Sequence, residues 1–142
     1  MAEHTMMRSP VLLAVVATVS WGFWAFFTKL ATRSGQPESV LVISYALGSA
    51  VGLVYFALTP GSFEMTNRDF GFAVAAGLAT GIGSMLYYSG LKYGTVGQVT
   101  TITGLYFFVS VTLSVLLLGE ALTVRKIAGI GLAVAAIVLL SN

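Results

Sequence analysis

Hydroxyl groups recur along one face of the apolar segment between residues 96 and 118. Their spacing alternates between three and four positions and includes one aromatic ring, a pattern that places all of them on one side of a helix. The members of this face are Thr100, Thr103, Phe107, Ser110 and Ser114. Hydroxyls and a ring on one face can bind a small polar or amphipathic molecule, and they can equally hold two helices together. The pattern leaves both alternatives open.

The chain lacks the side chains that usually carry catalysis. It contains no cysteine and one histidine, His4, so thiol nucleophiles, zinc–thiolate sites and disulfides are excluded. Serine and threonine need a neighbouring base to act as nucleophiles, and the apolar segments supply none. They also contain no carboxylate pair and no cluster of metal ligands. We expect neither an enzyme nor a protein that binds a cofactor or a metal.

The composition places these residues in a membrane. Of the 142 residues, 57% are hydrophobic and 8% are charged, and a soluble domain of this size exposes too much surface to hide so many apolar side chains. Five apolar runs approach the roughly 20 residues that cross a hydrocarbon core of about 30 Å. They span residues 10–31, 38–58, 70–90, 96–118 and 124–140. The sequence therefore predicts an all-α integral membrane protein, a five-transmembrane-helix bundle forming one domain over residues 1–142.

One acid and two bases stand together in the stretch LLLGEALTVRK. Glu120 ends one apolar run, and Arg125 and Lys126 open the next, so the three charges belong to a short interfacial turn where water is available. We expect Glu120 to accept hydrogen bonds from the backbone of the following helix or to pair with Arg125. The three residues are predicted to anchor the topology. The remaining bases are scattered singly between the runs, which argues against nucleic-acid binding.

Glycines recur on the other predicted helices. Gly48 and Gly52 share a face of the second helix, Gly77 and Gly81 share a face of the third, and Gly129 lies on the fifth. Small residues let helix backbones approach closely where lipid supplies no hydrophobic drive. We therefore assign these five glycines to helix packing.

Three stretches of the sequence resemble the EamA domain of the drug/metabolite transporter superfamily. The first is Trp21-Gly22 followed by Lys29, the second is YYSGLKYGTVGQVTTITGLYFFVSVTLSVLLLGEALT, and the third is KIAGIGLAVAAIVLL. The resemblance covers nearly the whole chain. The Gly-Glu pair, followed by a basic turn and Gly129, is fairly specific, and the order and spacing of the three stretches carry the match.

The resemblance implies a five-helix unit that typical members carry twice in one polypeptide, as an inverted repeat of ten helices. Substrates such as amino acids, metabolites, nucleotide sugars and drugs then pass between the halves by alternating access. This chain carries one unit, half of that fold, so we expect a half-size transporter subunit in the lipid bilayer of the cell membrane. The four-helix small multidrug transporters of the same superfamily use a glutamate in their first helix, where this chain has no acid.

The family pattern and the polar faces together select candidate substrate-binding residues. They come from the first, third and fourth predicted helices, where hydroxyls and aromatic rings share faces with small residues. The candidates are Trp21, Ser84, Tyr88, Thr100, Thr103, Phe107 and Ser110. Aromatic side chains near helix ends also sit at membrane interfaces, which leaves that role open for Trp21 and Tyr88.

Basic residues are almost balanced between the two predicted sides of the membrane. With five spans, Arg8, Arg68, Arg125 and Lys126 fall on one side, and Lys29, Arg33 and Lys92 fall on the other. A difference of one basic residue between the two sides favours one orientation in the membrane only weakly. Two copies inserted in opposite senses would recreate an inverted repeat. We therefore expect an antiparallel homodimer, or a heterodimer with a related half-size subunit.

A second function class fits the same residues. The glycine faces could bind and stabilise another membrane protein, in which case the chain moves no substrate. The hydroxyls of the fourth helix distinguish the two classes, because a transporter needs them for substrate and a stabilising partner does not.

Overall fold

The computed structural model describes residues 9–60 and 62–140 of the chain. Within these residues the secondary structure is α-helical and contains no strand. The helices are α1 (Pro10–Thr32), α2 (Pro37–Leu58), α3 (Asn67–Tyr93), α4 (Val96–Thr103), α5 (Tyr106–Leu118) and α6 (Val124–Leu140). His4 and Arg8, which the sequence analysis singles out, lie outside the described residues.

Prolines and capping side chains determine where several helices begin. Pro10 and Pro37 occupy the first position of α1 and α2, where a missing N–H costs nothing and the fixed φ suits a helix. Thr95 and Gln98 form a capping box at the start of α4. Each side chain there satisfies a backbone N–H that the first helical turn leaves unpaired.

α3 is longer than the predicted span of 70–90, because a second reciprocal cap precedes it. Thr66 Oγ1 accepts a hydrogen bond from the backbone N–H of Asp69 at 3.2 Å. Asp69 Oδ2 in turn accepts one from the backbone N–H of Thr66 at 3.3 Å. The cap lets the helix start at Asn67, among polar residues that a search for apolar runs leaves out.

The predicted span 96–118 is interrupted, which corrects the expectation of one continuous helix. The interruption lies at Gly104 and Leu105, between α4 and α5. There the backbone changes from i→i−4 to i→i−3 hydrogen bonds: Leu105 N–H donates to Ile102 O at 3.1 Å, and Phe108 N–H donates to Leu105 O at 2.9 Å. Such i→i−3 turns are the tighter 3₁₀ type, which occurs in short pieces within helices and at their ends.

Gly104 keeps right-handed helical dihedrals at the interruption, with φ of −53° and ψ of −22°. A Cβ at this position would lie 3.2 Å from the carbonyl oxygen of Thr101 and 3.3 Å from that of Thr100, three and four residues earlier in the chain. Since α4 has 8 residues, the interruption lies about 12 Å along the axis, deep within a hydrocarbon core of about 30 Å.

The chain divides into two compact units, one up to Lys92 and the other from Tyr93 onward. In the first unit α1 packs against α2, and the C-terminal part of α3 contacts α1 through hydrogen bonds. The buried side chains of the described residues all belong to this unit: Ala25, Thr28, Thr32, Pro37, Tyr87, Tyr88 and Leu91. In the second unit α4 packs against α6.

Four helical segments of the described chain are long and apolar enough to cross a membrane. They are Pro10–Thr32, Pro37–Leu58, Asn67–Tyr93 and Val96–Leu118, and at most 11% of the most apolar stretch of each is buried within the chain. α6 has 17 residues, about 25 Å of helix, slightly less than the hydrocarbon core of about 30 Å. Crossing by this fifth segment stays a prediction.

Substitution of Gly119 tests whether the end of α5 needs a residue in the left-handed backbone conformation. Its φ of 68° and ψ of 22° lie in the left-handed region, where a Cβ is unfavourable. We expect Gly119→Ala to lower the free energy of unfolding by about 1 kcal/mol. Gly131→Ala is the matched control, because no atom lies within 4 Å of a Cβ at that helical position. Unfolding of both variants in detergent, followed by circular dichroism, measures the difference, and equal stabilities would contradict the assignment.

Candidate functional site

An indole and a phenol join α1 to α3 inside the first unit. Trp24 Nε1 donates a hydrogen bond to the hydroxyl oxygen of Tyr88 at 3.1 Å. The indole also stacks on the ring of Tyr87, with 5.0 Å between ring centroids and an interplanar angle of 14°. Tyr88 is fully buried and Tyr87 is 7% exposed. The contact therefore combines ring stacking with a partly buried hydrogen bond.

A second hydroxyl pair joins α2 to α3. The hydroxyl of Tyr45 forms a hydrogen bond with Ser84 Oγ, and it also donates to the carbonyl oxygen of Thr80 at 3.4 Å. Tyr45 stands eight residues after Pro37, the first residue of α2, about 12 Å along the helix axis. This depth places the pair well inside a hydrocarbon core of about 30 Å.

The two contacts form one continuous feature, because Ser84 and Tyr88 are one helical turn apart on α3. We call the four side chains Trp24, Tyr45, Ser84 and Tyr88 the polar seam. The seam ties three membrane-spanning segments together through groups that each need a partner in an apolar medium. Its hydroxyls are chemically able to exchange these partners for a polar ligand.

Lysines stabilise the ends of the first unit. Lys29 Nζ donates to the carbonyl oxygen of Leu91 at 2.5 Å, and Lys92 Nζ donates to Gln36 Oε1 at 2.9 Å. The last carbonyls of a helix have no intrahelical donor, and a cation placed there also opposes the helix dipole. Lys29 thus satisfies the C-terminal part of α3, beside the buried hydroxyl groups of Thr28 and Thr32.

Only some of the candidate residues predicted for this unit belong to the polar seam. Ser84 and Tyr88 belong to the polar seam, whereas Trp21 is 60% exposed and has no part in it. Sequence reasoning missed Trp24 and Tyr45. Tyr45 carried a usable signal, since a phenol in the interior of an apolar span must find a hydrogen-bond partner. Trp24 could have been found from its spacing of four residues to Thr28, which shares its helix face.

The predicted residues of the second unit lie on both sides of the helix interruption. Thr100 and Thr103 belong to α4, whereas Phe107 and Ser110 belong to α5. Ser110 Oγ donates to the carbonyl oxygen of Tyr106 at 3.1 Å, in its own helix. The interruption therefore divides the continuous hydroxyl face that the spacing predicts.

The five glycines assigned to helix packing border open space within the chain. No atom lies within 4 Å of a Cβ at any of them: Gly48, Gly52, Gly77, Gly81 and Gly129. They bring no two helices of this chain together in the structure. Packing at these positions stays a prediction, and its partner would be another chain or lipid.

The charged turn between α5 and α6 is held by an ion pair. Lys126 Nζ lies 3.4 Å from Glu120 Oε2, and the two side chains are 48% and 54% exposed. Hydrogen bonds from Ser114 and Lys126, with the charge of Lys126, hold the pKa of Glu120 below its ordinary value. The backbone N–H of Lys126 also donates to Thr123 Oγ1 at 3.3 Å.

Glu120 does not pair with Arg125, which was one of the two partners expected from the sequence. Lys126 carries the contact instead, since α6 begins at Val124 with Thr123 as its cap. No group of three or more histidine, cysteine or acidic residues able to hold a metal occurs in the described part of the chain.

Trp24→Phe tests the hydrogen bond at the centre of the polar seam. The substitution keeps an aromatic ring but removes the N–H that Tyr88 accepts, so we expect the free energy of unfolding in detergent to fall by about 1 kcal/mol. Trp21→Phe is the matched control and should leave stability unchanged, since Trp21 is 60% exposed. The double variant Trp24→Phe/Tyr88→Phe should lose less than the sum of the single losses; additive losses would show that the two groups do not interact.

Comparison with known proteins agrees with the architecture. The model of the EamA-like transporter family matches residues 8–142 of the chain. The chain is 25% identical over 135 residues to Uncharacterized protein MJ1333.1 of Methanocaldococcus jannaschii, an alignment that covers 95% of this chain and 98% of that protein. No solved structure matches the chain. With four apolar helices able to cross a membrane and a family match over nearly its whole length, the protein is a multi-pass membrane protein that belongs to the EamA-like transporter family.

Proposed function

We propose that the protein is a half-size transporter subunit that moves a small polar or amphipathic metabolite across the cell membrane by alternating access, as a dimer. The observation that carries this proposal is the polar seam, in which Trp24 binds Tyr88 and Tyr45 binds Ser84. Hydrogen-bonding side chains at membrane depth are costly unless paired. A seam of such groups across three spans provides donors and acceptors that a substrate can use in turn.

The interruption between α4 and α5 supports the same function. The change of hydrogen-bond pattern lies within the fourth span, and discontinuous helices recur in transporters. Thr103 directly precedes Gly104 and Thr100 lies four residues before it, so both hydroxyls lie close to this change. Substrate contacts by these two residues, and by Phe107 and Ser110 beyond the interruption, are part of the proposal.

The proposed dimerisation rests on the open surfaces of the helices. The open glycines of α2 and α3 allow the close backbone approach that helix association in lipid requires. We propose an antiparallel pair, either of two copies or of this chain with a related half-size subunit.

Transport by the purified protein tests the proposal. Reconstituted in liposomes, alone or with a co-encoded half-size partner, it should move at least one member of a broad panel of small metabolites. Thr103→Val and Ser84→Ala should lower that flux several-fold at unchanged expression, because each removes a hydroxyl without changing the size of the side chain much. Thr18→Val is the control, since its hydroxyl donates only within α1, to the carbonyl oxygen of Ala14. Flux that is unaffected in the first two variants would contradict the assigned site.

A second candidate function is favoured by the open glycine faces. A non-transporting protein that binds and stabilises another membrane protein would use them as a docking surface. In that case Gly77→Leu should abolish co-purification of the partner, because the new side chain occupies space that is empty within the chain. Thr103→Val and Ser110→Ala should then be silent in every assay, the opposite of the outcome expected for a transporter.

Cysteine labelling tests the antiparallel arrangement. Ser34 lies between α1 and α2, and Ser62 lies between α2 and α3, so the two exposed serines stand at opposite ends of α2. The chain has no native cysteine. With single Ser34→Cys and Ser62→Cys variants, we expect a membrane-impermeant thiol reagent to label each site in part of the population of intact cells. Labelling of one site alone, with no inverted partner co-purifying, would rule out the antiparallel dimer.

A further inference from the structure

An apolar groove runs between α5 and α6 in the second unit. Its volume is about 470 Å³. Phe107 and Val111 line it from α5, and Gly129 and Ala133 line it from α6. Gly129 widens the groove, because a Cβ at this position would meet no atom within 4 Å.

The groove has a charged mouth at one end. Glu120 and Lys126 both line it, and their ion pair spans 3.4 Å between partly exposed side chains. From Lys126 to Ala133 the groove follows seven residues of α6, about 10 Å of helix. That length is roughly two-thirds of the thickness of one leaflet, which is half of a hydrocarbon core of about 30 Å. With α6 crossing the membrane as predicted, the charges lie at the membrane surface and the apolar walls lie in the depth of the leaflet.

We propose that this groove binds one acyl chain of a membrane phospholipid whose headgroup carries both a phosphate and a primary ammonium. Lys126 donates to the phosphate and Glu120 accepts hydrogen bonds from the ammonium, while the acyl chain lies along Gly129 and Ala133. An exposed ion pair at 3.4 Å contributes little stability. It can open and be replaced by two charge-assisted hydrogen bonds to the headgroup.

A transmembrane helix of a second chain fits the same groove less well. A packed helix would cover the mouth of the groove, where the side chains of Lys126 and Glu120 are 48% and 54% exposed. It would also desolvate the charges at the mouth, which is costly unless they find good partners. A flexible acyl chain with a zwitterionic headgroup matches both the narrow apolar part and the pair of opposite charges.

Native mass spectrometry of the full chain in lipid-free detergent tests the proposal. The probes are phosphatidylethanolamine, phosphatidylglycerol and phosphatidylcholine with identical acyl chains. We expect phosphatidylethanolamine to bind about tenfold more tightly than the other two, the size of one charge-assisted hydrogen bond. Equal binding of all three lipids would overturn the assigned headgroup.

Two matched glycine variants locate the lipid. The Gly129→Leu side chain fills the groove and should lower the binding of all three lipids. Gly131 is on the same helix but does not line the groove, so Gly131→Leu should leave lipid binding unchanged. Unchanged binding to Gly129→Leu, or an equal loss in both variants, would overturn the location. A change of oligomeric mass in Gly129→Leu without loss of lipid would do the same, by assigning the groove to a second chain.

Charge variants separate the headgroup contacts. Glu120→Gln should abolish the preference for phosphatidylethanolamine over phosphatidylglycerol, and Lys126→Gln should weaken both lipids. Glu38→Gln, an exposed acid in the first turn of α2, is the control and should change neither. A preference that survives Glu120→Gln would overturn the ammonium contact.

A competition experiment on the unaltered protein tests the acyl chain without relying on a variant that folds. Lyso-phosphatidylethanolamine should displace bound phosphatidylethanolamine, whereas glycerophosphoethanolamine, which has the same headgroup and no acyl chain, should not. Equal displacement by the two compounds would overturn the role of the groove.

Discussion

A lipid bilayer offers no hydrogen-bond partners, and this constraint explains how the chain treats its polar groups. No buried side-chain nitrogen or oxygen among the described residues lacks a partner. Isolated hydroxyls on the outer faces donate to the carbonyl four residues earlier, as Thr18 does to Ala14 and Ser89 does to Met85. Where such local pairing is not possible, as for the indole of Trp24 and the phenol of Tyr45, the partner comes from another helix. The polar seam is thus the consequence of placing side chains with fixed, long-reaching donors in an apolar medium.

The same constraint applies to the backbone at the interruption of the fourth span. A continuous helix satisfies all its backbone groups internally, so a change from i→i−4 to i→i−3 bonds at membrane depth has a cost that a regular helix avoids. The change lies at Gly104 and Leu105, and the capping box of Thr95 and Gln98 stabilises the start of the short α4.

Most large apolar side chains of the described residues are exposed. Buried side chains of the described residues are confined to the first unit, around Tyr88, Leu91 and Thr32, and large apolar side chains elsewhere are exposed on the helices. For a water-soluble protein such exposure would cause aggregation, whereas in a membrane lipid covers it at little cost.

The sequence by itself determined most of the elements, apart from the interruption at Gly104 and Leu105 and the early start of α3. Apolar runs of about 20 residues, prolines at the first helical position and the caps at Thr66 and Thr95 are local features, and local hydrogen bonding with transfer to lipid decides them. The family match, confirmed over residues 8–142, likewise depends on the order of residues along the chain. Ser84 and Tyr88 were identifiable because a period of four residues defines one helix face before any neighbour is known.

Only the tertiary structure decided which faces meet. The sequence pointed to Trp21, while Trp24, on a neighbouring face of the same helix, bonds to Tyr88. For Glu120 it offered either the backbone of the following helix or Arg125 as a partner, while Lys126 makes the contact. In both cases several residues of the same type lie within a few positions of one another, and periodicity cannot choose among them. The choice depends on the rotation of each helix about its axis, which hydrogen bonds between distant parts of the chain fix.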